Sequence, residues 1–406
     1  MVLTAARCFS VLTACALAAC GGGGSGGNTL TGGGPATLPT GSNVAPIAVD
    51  SGPAGTVNGA FVSVTLCVPG TTDCQTLDHL LVDSGSIGVR VIGSKLLASL
   101  TLPAARDGSG NATAECGQFA DGSTFGSLKL ADVKIAGEVA SNLAVHIIGD
   151  AAFTSVPADC LATGPAENTV QTFGANGVVG VGVFREDCGA ACANRVVPAT
   201  YYSCAAGGCV PMAMPLAGQI RNPVTKFSVN NNGVAVVLQS VDPAGAALVA
   251  GALVFGIGTQ SNNALGRANV LTLDPTTGTL TTIFNGQSLR NSIVDSGSNG
   301  LFFNDTSLPE CTGNLAPGFY CPLTSQSRTA MLQGFSGVAV DATFNIANAN
   351  ALLNNNATFV AFANLAGTNP LTSSFDWGLP FFYGRTVFFA IEGQSTLAGS
   401  GPFLAY

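Results

Sequence analysis

Apolar residues along this chain come in short runs that break on glycine. Leu80-Leu-Val ahead of Asp83, and Ile293-Val ahead of Asp295, read as the ends of buried strands, each followed at once by a Gly-punctuated turn. Pro243 to Gly258 is almost wholly apolar, yet it is short and interrupted by Gly245, Gly251, Gly256 and Gly258. It predicts a turn followed by a buried strand, Ala252-Leu-Val-Phe255, rather than a helix crossing a membrane. Only 9% of the residues are charged, too few for the outer faces of long amphipathic helices, while Gly, Val, Thr, Ser and Asn are spread throughout. The pattern predicts an all-β protein, and 406 residues suffice for one large domain or two lobes with a core.

The first residues read as an address. Arg7 precedes an apolar stretch, Phe9 to Ala19, too short for a final membrane span. It ends in Leu17-Ala-Ala-Cys20, which resembles the lipobox at which bacterial lipoproteins are cleaved and acylated on the cysteine. Gly21 to Gly34, nearly all Gly with Ser and Thr, reads as a flexible tether. The expectation is an exported lipoprotein, held by its lipid on the periplasmic side of the outer membrane or at the cell surface. If Cys8 and Cys15 leave with the signal and Cys20 carries lipid, ten cysteines remain: Cys67, Cys74, Cys116, Cys160, Cys188, Cys192, Cys204, Cys209, Cys311 and Cys321. Their close spacing suits short disulfide loops in an oxidising compartment. Spacing does not fix the pairing; neighbours together, with Cys116 to Cys160, form the expected set. No paired zinc knuckle is present and His79 and His146 are isolated, so no metal or cofactor is expected. A net charge of −8 without a Lys/Arg cluster gives no footprint for nucleic acid. A monomer is expected.

The chain repeats itself where its acids lie. His79-Leu-Leu-Val-Asp-Ser-Gly-Ser-Ile-Gly-Val-Arg90 matches Asn291-Ser-Ile-Val-Asp-Ser-Gly-Ser-Asn-Gly-Leu-Phe302, with Asp295 placed 212 positions after Asp83. A third short match, Val49-Asp-Ser-Gly52, lacks the following Ser-x-Gly and reads as a strand end or turn. A lone Asp beside Ser and Gly is most often a turn or capping carboxylate; the duplicated seven-residue motif is far more specific.

The two half-sites resemble those of the pepsin-like aspartic peptidases, in which each lobe supplies one Asp-Thr/Ser-Gly loop crossed by a later apolar-apolar-Gly strand. Asn176-Gly-Val-Val-Gly180 and Trp377-Gly378-Leu-Pro-Phe-Phe382 stand where that family leads one to expect the crossing strands. Gly251-Ala-Leu-Val-Phe-Gly256 resembles the strand opening the second lobe, and Phe119-Ala-Asp121-Gly122-Ser123 the flap hairpin. The resemblance covers most of residues 45–406 and extends to bacterial pepsin-like lipoproteins described only as a domain of unknown function. It implies a bilobed fold of two six-stranded, barrel-like lobes with few short helices. The expected divisions are a signal peptide at 1–20, a tether at 21–44, and lobes at 45–220 and 221–406.

It further implies that Asp83 and Asp295 are a catalytic pair sharing a proton, so that the charged member activates water and the neutral one binds the scissile carbonyl. Ser86 and Ser298 would donate to the carboxylates. Ser84 and Ser296 would brace one loop against the other, while Gly85 and Gly297 would let the backbone pass beneath the acids. The expected function is an acid-acting endopeptidase of the cell envelope; the alternative is a non-catalytic protein holding a peptide, protein or glycan between its lobes. The chain departs from the family in two linked places. Active members carry a flap Tyr bonded to a Trp beyond the first Asp loop; here Phe119 and Arg90 stand at those positions. That points to a rebuilt pocket, in which Arg90 either faces an acidic ligand or is a solvated surface residue, or to a binding protein. A serine hydrolase is not indicated, because no G-x-S-x-G elbow surrounds any of these serines.

Overall fold

The computed structural model describes residues 38–153 and 155–406. The signal, Cys20 and most of the predicted tether lie outside these residues. The described part of that tether is already packed: Asn43 is fully buried and donates its amide to Phe255 O (2.8 Å).

The first half begins with β1 (Val44–Val49), β2 (Ala60–Cys67), β3 (Cys74–Asp83) and β4 (Ile87–Ile92). It continues through β5 (Ala112–Gln118), β6 (Ser123–Ile135), β7 (Glu138–Ile148) and β8 (Gly177–Val181). Strands β6, β7, β4, β8, β3 and β2 are neighbours in that order, and β2 pairs again with β6 at Thr65 opposite Lys134. Six strands therefore close into a barrel, which leaves no edge within the ring. Its inside is filled by Val64, Val82, Val89, Val133, Val145 and Val179, β-branched side chains that suit a pleated surface. An outer hairpin, β9 (Tyr201–Ala205) and β10 (Gly208–Pro211), adds to the free side of β5.

The second half comprises β11 (Gly233–Leu238), β12 (Val249–Phe255), β13 (Val270–Thr272), β14 (Leu280–Phe284) and β15 (Gln287–Val294). It ends with β16 (Leu301–Phe302), β17 (Gln326–Gln333), β18 (Ala339–Ile346), β19 (Ala366–Gly367), β20 (Asp376–Trp377), β21 (Thr386–Ala390) and three short terminal strands. Seven of these form one sheet, in the order β18-β17-β14-β15-β20-β16-β19. Aromatic rings fill its centre: Phe375 stacks on Phe303 at 4.7 Å and on Trp377 at 4.1 Å, and Trp377 Nε1 donates to Thr282 Oγ1 at 3.0 Å. The halves are joined because β1 pairs along its whole length with β12, and that sheet continues through β11 and β21. The protein is thus an all-β, bilobed, pepsin-like molecule.

Three smaller expectations are met. The apolar stretch from Pro243 is a turn, with Gly245 at φ 98° and its N–H donating to Asp242 O, followed by buried β12. No helix among the described residues is long and apolar enough to cross a membrane. Asp50 of the third short match accepts from Gly52 N (2.8 Å), so it shapes a turn after β1. All five disulfides form as expected: Cys67–Cys74, Cys116–Cys160, Cys188–Cys192, Cys204–Cys209 and Cys311–Cys321.

Candidate active site

Asp83 is the last residue of β3, and Asp295 follows the last residue of β15. Each loop is pinned by a crossing strand threaded between its arms. β8 runs parallel to β3, with Asp83 opposite Gly180, and antiparallel to β4, with Gly88 opposite Gly180. β20 repeats this against β15 and β16, with Trp377 opposite both Val294 and Leu301. The crossing glycines are needed for space. A Cβ on Gly180 would stand 2.5 Å from Ile87 N, and one on Gly378 would stand 2.1 Å from Gly300 O.

The two loops clasp each other through their first serines. Ser84 N donates to Ser296 Oγ (3.1 Å) and Ser296 N to Ser84 Oγ (2.9 Å). Each hydroxyl then donates onward across the junction, Ser84 Oγ to Val294 O (3.2 Å) and Ser296 Oγ to Val82 O (2.8 Å). This reciprocal arrangement brings the acids together. Gly85 N–H lies 2.8 Å from Asp83 Oδ1 and 3.0 Å from Asp295 Oδ1, so both carboxylates share one donor. A Cβ on Gly85 would sit 2.7 Å from the Asp295 carboxyl carbon, and one on Gly297 would sit 2.7 Å from that of Asp83. Only glycine fits beneath either acid.

Both acids are nearly buried, at 5% and 4% exposure, yet Gly85 beside them is open to solvent. Burial pushes the Asp295 carboxyl well above the usual range; the charges of Asp83 and Asp376 and a hydrogen bond with Asp83 push the same way, against the opposing Gly297 N–H. Two acids that share one donor at this distance cannot both ionise cheaply, so this pair can present one carboxylate and one carboxylic acid together.

The second serines behave differently from each other. Ser298 Oγ reaches Asp295 Oδ2 (2.9 Å), as the sequence predicts. Ser86 does not support Asp83: its hydroxyl has no hydrogen-bond partner among the described residues. The reason lies in the crossing strands. Ser298 also meets a third carboxylate, Asp376 Oδ2, at 2.6 Å. Asp376 faces Ile293 across β20–β15, and the matching residue of the first lobe, opposite Leu81, is Val178. Nothing polar there holds Ser86. Reading the repeat missed Asp376 because the two halves differ at that position. The available signal was an acid inside the otherwise apolar run Phe375-Asp-Trp-Gly-Leu-Pro-Phe.

Arg90 is neither a ligand-facing nor a solvated residue. It is 5% exposed, and its guanidinium is held by Glu115 (2.6 and 3.2 Å), Ile87 O (2.6 Å) and Asp187 (3.4 Å). Burial favours the neutral Glu115 carboxyl, but the charges of Arg90 and of His146 outweigh this and hold it well below the usual carboxylate range. Burial of the whole guanidinium demands such partners, which is why it turns inward. Phe119 is half-buried and packs edge-on against Phe173 at 5.4 Å, within the apolar cluster of Phe61, Leu81 and Ile148. The flap tip is fastened to the segment following α1 (Ala158–Leu161). Ser123 N donates to Pro165 O (2.8 Å), a Cβ on Gly122 would meet Pro165 O at 2.5 Å, and half-buried Asp121 lies in the same tip.

The whole molecule is similar to the crystal structure of an aspartic proteinase from Irpex lacteus, with a TM-score of 0.52 and 16% identity over 89% of this chain and 96% of that one. At that identity the likeness speaks for the fold. No curated protein matches the sequence. The model of the family described as "Protein of unknown function (DUF3443)" matches residues 39–406, and the chain belongs to that family.

Proposed function

We propose that this protein is an aspartic-type endopeptidase of the bacterial cell envelope, acting on extended polypeptide held between its lobes. The observation that carries the reading is the Asp83–Asp295 pair, joined through one shared Gly85 N–H and clasped by Ser84 and Ser296. With one proton on the pair, the charged carboxylate takes a proton from a bound water while the neutral one hydrogen-bonds the scissile carbonyl. Water attacks the carbonyl carbon, and the proton taken from it passes to the leaving amine as the C–N bond breaks. The serines brace loops and are not nucleophiles. The envelope setting is supported by the lipobox-like Leu17-Ala-Ala-Cys20 and by five disulfides, which suit an oxidising compartment.

Purified protein without the signal is expected to cut unfolded protein at about pH 3–5, as its resemblance to the pepsin-like peptidases implies. A statine-type inhibitor should block it, and Asp83→Asn or Asp295→Asn should abolish it. Cleavage that survives both substitutions overturns the mechanism. One observation favours a second reading, a pepsin-fold protein that binds without cutting: Phe119 brings no hydroxyl to the flap and packs, half-buried, against an apolar cluster. Retained peptide, protein or glycan binding with no turnover from about pH 2 to 8 would select that reading.

A further inference from the structure

Ser298 has one hydroxyl hydrogen and two carboxylate neighbours. Its Oγ is 2.9 Å from Asp295 Oδ2 and 2.6 Å from Asp376 Oδ2. If both acids were ionised, one of these contacts would set lone pair against lone pair at hydrogen-bond distance, so one acid must carry a proton there. The proton on Asp295 is the one it shares with Asp83, so the proton at Ser298 falls to Asp376, and the surroundings agree. Asp295 Oδ1 accepts two backbone N–H groups, from Gly85 (3.0 Å) and Gly297 (2.9 Å). Asp376 is 4% exposed, its Oδ1 has no partner, and no cation pairs with it among the described residues. A buried anion without donors is the costlier one.

We propose that Asp376 is a positioning residue of the pair: kept as the neutral acid, it donates to Ser298 Oγ and so commits the Ser298 hydroxyl to Asp295 Oδ2. The proposal rests on the peptidase reading for its kinetic consequence but not for its chemistry. Burial pushes the Asp376 carboxyl up to about 8, with the nearby Asp83 charge in the same direction and the Ser298 hydrogen bond opposing it. The groups facing it are few. Asp295 stands on its side of the dyad and Asp83 in the other lobe. The paired strands present Ile293 on β15, and Leu301 and Phe302 on β16; Phe375 and Trp377 flank it in the chain. The stacked rings of Phe375 and Trp377 fix β20, so the carboxyl cannot swing to water without unpacking the lobe core. The first lobe has no counterpart, since Val178 occupies the matching register and Ser86 is unbonded. The two half-sites are therefore unequal, and Asp295 alone receives a directed hydroxyl.

Asp376→Val is the natural test, because the first lobe folds with Val at the same register. It should lower kcat about 10-fold, the worth of one lost orienting hydrogen bond, and leave KM unchanged. Asp376→Asn, whose amide can still donate to Ser298, should recover most of that loss. In a Ser298→Ala background, Asp376→Val should cost nothing more. A second readout needs no turnover. Because the folded-state value of Asp376 lies above its unfolded one, wild type should lose stability relative to Asp376→Asn as pH rises from about 4 to about 8. Wild-type kinetics in Asp376→Val, or an undiminished loss on Ser298→Ala, overturns the proposal, as does a pH-independent stability difference. A wild type that cuts nothing but shows the pH-dependent difference retires the peptidase reading and leaves the Asp376–Ser298–Asp295 chain standing.

Discussion

Ser84 and Ser296 each use one hydroxyl twice, accepting a backbone N–H from the other loop and donating to a backbone carbonyl there. Replacing either by Ala strands two buried backbone groups. Ser84→Ala is expected to cost about 3 kcal/mol, read by urea denaturation, because each buried group left unpaired costs roughly 1–3 kcal/mol. Gly297 tests position rather than stability. A methyl group there would press to 2.7 Å against the Asp83 carboxyl. Gly297→Ala should leave the protein folded and reduce kcat by about 100-fold, the usual consequence of displacing a reacting group by an ångström. At this scale the sequence was legible wherever both halves needed the same residue. Asp83 with Asp295, Ser84 with Ser296, and Gly85 with Gly297 are all such pairs, because the clasp is reciprocal. It misled where the halves diverge: Ser86 repeats Ser298 in sequence, but Val178 does not repeat Asp376.

Arg90 shows why a single residue within a strand is hard to read without its neighbours. β4 pairs with β7, which sets Arg90 opposite His146, while Glu115 arrives on β5 from beyond β6. The buried Arg90–Glu115 pair underlies the flap hairpin β5–β6. Arg90→Met would leave Asp187 without its cation and Glu115 with His146 alone, and should cost about 3–5 kcal/mol at neutral pH, measured by guanidinium denaturation. The pH dependence has a definite sign. In wild type the folded-state value of Glu115 lies below its unfolded one, so the pair stabilises at pH above the unfolded value and is lost only as pH falls through the lower, folded one. In the variant the buried Glu115, without Arg90, takes up a proton at higher pH than in wild type, so the penalty should shrink towards acid. The same hairpin is tied through Cys116–Cys160, which closes a separation of 44 residues. Cys160→Ala together with Cys116→Ala should cost about 2–4 kcal/mol.

Among the described residues, none of the five disulfides links a residue before 220 to one after it; the halves are held by β1 on β12 and by the serine clasp. A sheet continuous through both halves should make them unfold together, so calorimetry is expected to show one transition rather than two. The bilobed arrangement was legible because a duplicated motif with ordered crossing strands specifies two similar lobes facing each other. The joining sheet was not, since β1 and β12 lie some 200 residues apart and neither carries a motif that points to the other. The account turns on whether acids from those two halves close on a single proton. The most direct measurement is carboxyl-carbon NMR titration of aspartate-labelled protein, with the Asp295 signal assigned by its loss in Asp295→Asn. The account predicts that Asp295 holds its proton well above the ordinary carboxylate range, and that Asp83→Asn moves this titration down by removing its charged partner. An Asp295 that titrates as an ordinary carboxylate, or one indifferent to Asp83→Asn, contradicts it.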